Sequence, residues 1–255
     1  MSNRSVKDDI RDYWGERAAT YDASPGHGLG PRSADWEELL TRHLGPAQGR
    51  SALDLGCGTG EMTLLLHGLG FCTTGLDITP QMMARAQAKA SGTGIRFIAA
   101  DAEATMEPPE SHDVIVARYL FWTLPKPEAA MADWLRILKP GGTLLLIDGD
   151  HVNPPPLDWL APWFDRILGR DPKAGHALVT PAQWDAHRAI VAQLPFREGL
   201  RSSTLLALLE QAKFQQVQAD NRGLQAFRPL GWRQRLLSLG RHRFVVSARK
   251  ATVQG

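Results

Sequence analysis

Cysteine is scarce. Two in 255 residues, Cys57 and Cys72, cannot make a disulfide framework, and no metal site is expected. Cys57 falls inside a glycine turn and Cys72 in an apolar run, so both are expected as small buried thiols in a reducing compartment. Long apolar runs are missing too: none approaches the roughly 18 residues that a membrane-spanning helix needs. The opening residues, Met1 to Asp9, are polar and carry neither an apolar core nor a small-residue cleavage site. A soluble, cytoplasmic chain without a membrane partner is the expectation. Charge of one sign is also lacking, since a formal +2 gives no electrostatic case for a nucleic-acid partner. Basic residues do gather late, at Arg228, Arg233, Arg235, Arg241, Arg243, Arg249 and Lys250, where they read as solvated faces of a late helix and strand.

Without internal repeats or low-complexity tracts, the alternation of strand and helix signals carries the organisation. Helical spacing appears over 7–22 and 33–44, separated by a glycine- and proline-rich loop around Ser24 to Pro31. Short apolar runs at 51–55, 72–76, 95–99, 114–117 and 143–147 then alternate with amphipathic stretches at 61–69, 80–90 and 127–138. Strands apolar on both faces and separated by helices imply a parallel sheet covered on both sides. The rhythm breaks at Asn153-Pro154-Pro155-Pro156. Two candidate helices, at 157–169 and 181–193, carry Trp159, Trp163, Phe164 and Trp184, with Phe196 just beyond. A helix at 203–213 and strands at 216–221 and 244–248 suit a sheet finished by an antiparallel edge strand, with the aromatic segment inserted as a helical cap. The length suits a single domain over 1–255.

The strongest local signal is Leu53-Asp54-Leu55-Gly56-Cys57-Gly58-Thr59-Gly60-Glu61, where an apolar strand turns into a helix. Glycines there permit positive φ and close approach of a ligand. A pyrophosphate-binding turn would carry a third glycine where this chain has Glu61, and a carboxylate at a helix start opposes a phosphate. With Asp54 just before the turn, the pocket favours a ligand with cationic groups, such as the sulfonium and ammonium of S-adenosylmethionine (SAM). Asp77 ends the second strand, placed to accept hydrogen bonds from vicinal ribose hydroxyls or simply to cap the helix near Pro80. Asp101, followed by Ala102, ends the third strand, where it suits the exocyclic amine of adenine or a turn cap.

These segments, with Gly75-Leu76-Asp77-Ile78-Thr79-Pro80, Ala100-Asp101-Ala102 and Leu138-Lys139-Pro140-Gly141-Gly142, resemble the successive motifs of class I SAM-dependent methyltransferases of the UbiE-like, small-molecule type. The resemblance covers roughly 8–150 and weakens from 151 to 240. It implies a Rossmann-like, doubly wound, mostly parallel seven-stranded α/β sheet. It further implies that Asp54, Gly56, Cys57 and Gly58 line the methionine moiety of SAM, that Asp77 holds the ribose, and that Ile78, Met82, Asp101 and Ala102 surround the adenine. By the same resemblance Arg118 and Trp122 sit beneath the sulfonium and face the acceptor. Residues 1–45 fold over the cofactor, with Tyr13 and Tyr21 reaching it, and 151–200 form the cap. The implied reaction is methyl transfer to a small molecule, leaving S-adenosylhomocysteine (SAH), by a monomer or homodimer.

The acceptor atom (N, S, O or C) is not disclosed. An oxygen or carbon acceptor usually needs a base, and His27, His151 and His176 lie near expected loops. Arg118, Arg197 and Arg201 are candidate partners for an acceptor carboxylate. A non-catalytic SAM-binding regulator or assembly protein remains an alternative. A nucleic-acid methyltransferase is disfavoured, because Asn153-Pro154-Pro155-Pro156 resembles an amino-methylation motif but follows the wrong strand and lacks its aromatic end. A stiff linker is the better reading.

Overall fold

The computed structural model describes residues 4–24, 28–29, 33–154, 156–160, 163, 166, 167, 179–220 and 242–252. The alternating apolar segments fold into one seven-stranded sheet, ordered β3-β2-β1-β4-β5-β7-β6. Its strands are β1 (Ser51–Leu55), β2 (Cys72–Asp77), β3 (Arg96–Ala99), β4 (His112–Arg118), β5 (Leu138–Gly149), β6 (Gln215–Asp220) and β7 (Arg243–Arg249). Strands β1 to β5 pair in parallel, while β7 runs antiparallel between β5 and β6 and makes that end of the sheet antiparallel, as expected.

The two-residue period of a strand explains why the central strands read as unbroken apolar runs. Leu53, Leu55, Ile115, Ala117, Leu144 and Leu146 point to one face, where they meet Trp134 of α5 (Pro127–Ile137) and Leu205 and Leu209 of α7 (Ser202–Gln211). Their neighbours Ala52, Val114, Val116, Leu145 and Ile147 point to the other, against Trp36, Leu39 and Leu40 of α2 (Ser33–Leu44) and Met62 and Leu66 of α3 (Glu61–Gly68). Cys72 is exposed rather than buried, because it is the first residue of β2 and only the positions after it are covered.

A third, smaller cluster lies outside the sheet. Helix α1 (Val6–Arg17) places Tyr13 against Ile190 and Leu194, at and just beyond α6 (Pro181–Val191). Both helices start on capping boxes, Ser5 with Asp8 and Thr180 with Gln183. Helix α1 stops at Arg17, short of the expected 22, and Ala18 to Ser24 continue as hydrogen-bonded turns. The expected helix over 157–169 and most late basic residues lie largely outside the described residues. No helix among the described residues is long and apolar enough to cross a membrane.

Trp134 is wholly buried and donates from Nε1 to the Ala102 carbonyl at 2.8 Å, tying α5 to the segment after β3. Trp134→Ala leaves a cavity and an unpaired carbonyl, so urea unfolding should show a loss of about 3–5 kcal/mol. An unchanged unfolding midpoint would contradict this packing.

Candidate active site

The chain leaves β1 toward β2 on one side and later returns to place β4 on the other, so a crevice opens between them at the carboxyl ends of the strands. A cavity of about 170 Å³ occupies it. Each parallel strand delivers residues to its wall: Gly56 and Gly58 after β1, Asp77 and Ile78 at β2, Asp101 and Ala102 after β3, Arg118 and Tyr119 at β4, and His151 just beyond β5.

The glycine turn uses positive φ at Gly56 (63°), Gly58 (54°) and Gly60 (84°). A Cβ on Gly56 would also lie 2.8 Å from Leu120 Cδ1, so glycine is required there on two counts. The Gly58 amide donates to Asp77 Oδ2 at 2.9 Å and the Thr79 amide to Oδ1 at 2.7 Å. Burial raises Asp77 above the usual carboxylate range, against the pull of these two amides. Asp54 and Cys57 do not line the cavity. Asp54 is buried beneath the turn, takes the Thr63 hydroxyl at 2.5 Å, and is pushed up to about 7 by burial, which Thr63 and Arg118 oppose. Cys57 Sγ lies 4.0 Å from Met83 Sδ.

Helix α1 reaches across the wall formed at the ends of β2 and β3. Lys7 Nζ pairs with Asp101 Oδ2 and Glu103 Oε2, while Asp101 Oδ1 accepts the Glu103 amide at 2.9 Å. Ile10 and Trp14 of the same helix line the cavity, as do Tyr21 and Met82. Tyr21 sits edge-on to Trp14, and burial pushes its phenol up to about 12. Tyr13 does not line the cavity but turns to α6, its ring 5.5 Å from that of His187.

The opposite wall is aromatic and basic. Arg118 lies 5.0 Å from the Trp36 ring and 4.7 Å from Tyr119, which itself holds a positive φ of 58° at the strand end. Trp122, Arg243 and His151 complete it. Of the other candidates, His27 and His176 lie outside the described residues, and Arg197 and Arg201 do not line the cavity. Arg201 Nη1 instead lies 2.6 Å from His242 Nε2. Asn153 donates to Asp150 and to the Glu198 carbonyl, each at 2.9 Å, so its amide is engaged in the local turn. Lys7, Glu103 and Arg243 were not expected at the site. The first two meet through an ion pair across about a hundred residues of chain, and Arg243 arrives on the antiparallel strand, so no local spacing marks them.

Residues 53–146 match the family model described as a methyltransferase domain. Over 138 residues the chain is 28% identical to a demethylmenaquinone methyltransferase of Tropheryma whipplei, covering 54% of this chain and 56% of that protein. Over 198 residues it is 27% identical to the ubiquinone/menaquinone biosynthesis C-methyltransferase UbiE of Shewanella halifaxensis, covering 73% and 74%. The first of these matches thus spans little more than half of the relative's length. A solved phosphoethanolamine N-methyltransferase 2 from Haemonchus contortus shares the fold, with a TM-score of 0.64, 16% identity, and coverage of 98% of this chain and 60% of that one. Residues 53–146 thus carry a methyltransferase domain, and the sheet order and the glycine turn agree with that match. The relatives it resembles include enzymes of the UbiE type.

The buried Asp54 gives the domain a pH signature. Its carboxyl binds a proton more tightly folded than unfolded, so stability falls as pH rises from its unfolded pKa toward about 7. Asp54→Asn removes that dependence. Thermal melts should show the stability of the variant relative to the wild type rising between about pH 5 and about pH 8; a relative stability that stays constant or falls over that range would show that Asp54 is ionised in the folded state.

Proposed function

We propose that the protein transfers a methyl group from SAM to a small-molecule acceptor by in-line displacement and releases SAH. The carrying observation is the Asp77 carboxylate at the end of β2, whose two oxygens are aimed by the Gly58 and Thr79 amides. The carboxylate lines the cavity at the strand end, where it suits the two vicinal hydroxyls of a ribose. The carboxylates of Asp77, Asp101 and Glu103 line the cavity, and the positive-φ glycines leave room at its mouth, a lining that fits a cationic nucleoside better than a phosphate.

When bound, SAM supplies a methyl group on an electron-poor sulfonium. The chain's own work is alignment and exclusion of water. Gly56 and Gly58 admit the methionine portion, with Asp54 as a neutral or anionic support under the turn. Ile78, Met82 and Ala102 offer apolar surface to adenine, and Asp101, held by Lys7, its polar edge. Arg118 and Trp122 stand on the acceptor side, and Tyr21 bridges the two halves. Helix α1 serves as a cover fastened by Lys7, and the segment over 151–200 as a cap on the acceptor side, within a single domain. Room in the cavity beside Tyr119, Trp122 and His151 favours an enzyme over a SAM-binding regulator, which needs no space for an acceptor. The names of the relatives, which include quinone-biosynthesis enzymes, agree with a small-molecule acceptor and not a nucleic acid. The location that goes with this reading is the cytoplasm.

Calorimetric titration with SAM and SAH tests the assignment. The wild type should bind both, and Asp77→Ala should weaken them by at least about tenfold, since two hydrogen bonds to a carboxylate are lost. Absence of binding, or an Asp77→Ala variant that binds as tightly as the wild type, would remove the reading.

A further inference from the structure

The acceptor wall contains a pair of side chains that the donor site does not use. Asp148, the penultimate residue of β5, is 1% exposed although it lies in an apolar strand. Its Oδ1 accepts the Gly149 amide at 2.8 Å and its Oδ2 the Trp122 amide at 3.3 Å. Two backbone donors on different segments therefore fix the carboxylate in one orientation. That carboxylate in turn lies 3.1 Å from His151 Nε2. The His151 ring is held between two aromatic neighbours, Tyr119 at 4.9 Å and Trp122 at 5.2 Å, and lines the cavity. Among the described residues Nδ1 has no hydrogen-bond partner.

An imidazole whose Nε2–H donates to a buried carboxylate presents Nδ1 as a lone pair, and a proton gained there is stabilised by the carboxylate behind it. Orientation by a third group and placement in a water-limited cleft are what a general base requires. The charged groups around it point the same way. Arg118 and Arg243 line the same wall, and each guanidinium lies near the Tyr119 ring, at 4.7 and 5.9 Å. Two guanidiniums favour an acceptor that becomes an oxygen anion and disfavour a protonated amine. A further titratable neighbour is His187 of α6, whose ring lies 5.8 Å from that of Trp122 and which burial holds toward the neutral form.

We propose that His151, positioned by Asp148, is the general base for an acceptor bearing an acidic hydroxyl of the phenol or enol class. This rests on the methyl-donor reading given above. The acceptor O–H gives its proton to Nδ1, the oxygen lone pair forms the bond to the methyl carbon, and the carbon–sulfur bond breaks with its electron pair left on sulfur. The imidazolium then returns the proton to solvent.

The test uses 4-nitrocatechol, whose ionised form absorbs at longer wavelength than its neutral form, added to SAH-saturated protein in a buffer below the probe's own pKa. Calorimetry with SAH alone is run first on the wild type, His151→Gln and Asp148→Asn, and reports folding and the donor site separately. With SAH bound, the wild type should take up the probe in its ionised form. His151→Gln should bind SAH yet bind the probe neutral or at least tenfold more weakly, and Asp148→Asn should fall between them. With SAM in place of SAH, O-methylated probe should form on the wild type and drop by at least a hundredfold in kcat on His151→Gln, with a smaller change in KM. Failure of the wild type to bind SAH would overturn the donor reading and this proposal with it. Normal SAH binding with no uptake of ionised probe, or with the same ionised spectrum on His151→Gln, would overturn the general base alone.

Discussion

The hydrogen bond from the Gly58 amide to the Asp77 carboxylate ties the turn after β1 to the end of β2, and the crevice takes its shape from that tie. Glycine at 56, 58 and 60 is what lets the backbone double back far enough for the amide to reach. The Cys57 amide, bonded to the Leu76 carbonyl at 2.9 Å, extends the same seam. Behind it the sheet is dry on both faces, so the strand ends cannot shift without disturbing two packed cores at once. The proposed donor site therefore stands on strand ends backed by both packed cores.

Charge divides the crevice into two halves. Toward β2 and β3 the lining is acidic, with Asp77, Asp101 and Glu103, moderated by Lys7 from the covering helix. Toward β4, β5 and β7 it is aromatic and basic, with Arg118, Tyr119, Trp122, His151 and Arg243. On the proposed reading, a cationic donor and an acceptor that develops negative charge are drawn to opposite ends of one cavity. Tyr119, held in a conformation that non-glycine residues rarely adopt, stands at the boundary and touches groups of the basic half.

Much of this was legible in the chain because the signals are local. The runs around Leu53, Ile115 and Leu145 are apolar at successive positions since each strand is covered twice, and Asp77 and Asp101 announce themselves by ending such runs. The glycine turn is contiguous in sequence. What escaped notice depends on distant partners. Asp54 reads as a pocket residue until Thr63, on the following helix, is seen to hold it beneath the turn. Tyr13 sits on the correct helix but faces α6, a direction that spacing within α1 does not reveal. His151 stood out only as a loop histidine, because its partner Asp148 is hidden among the apolar residues of β5. Lys7, Glu103 and Arg243 come from segments distant in sequence that only the tertiary fold brings together.

A crystal structure of the protein with SAH tests the central claim most directly. The account requires the nucleoside along the carboxyl ends of β1, β2 and β3, with its ribose hydroxyls on Asp77 and its amino-acid portion at Gly56 and Gly58. Density for SAH elsewhere on the molecule, or a ribose that leaves Asp77 bonded only to the Gly58 and Thr79 amides, would contradict it.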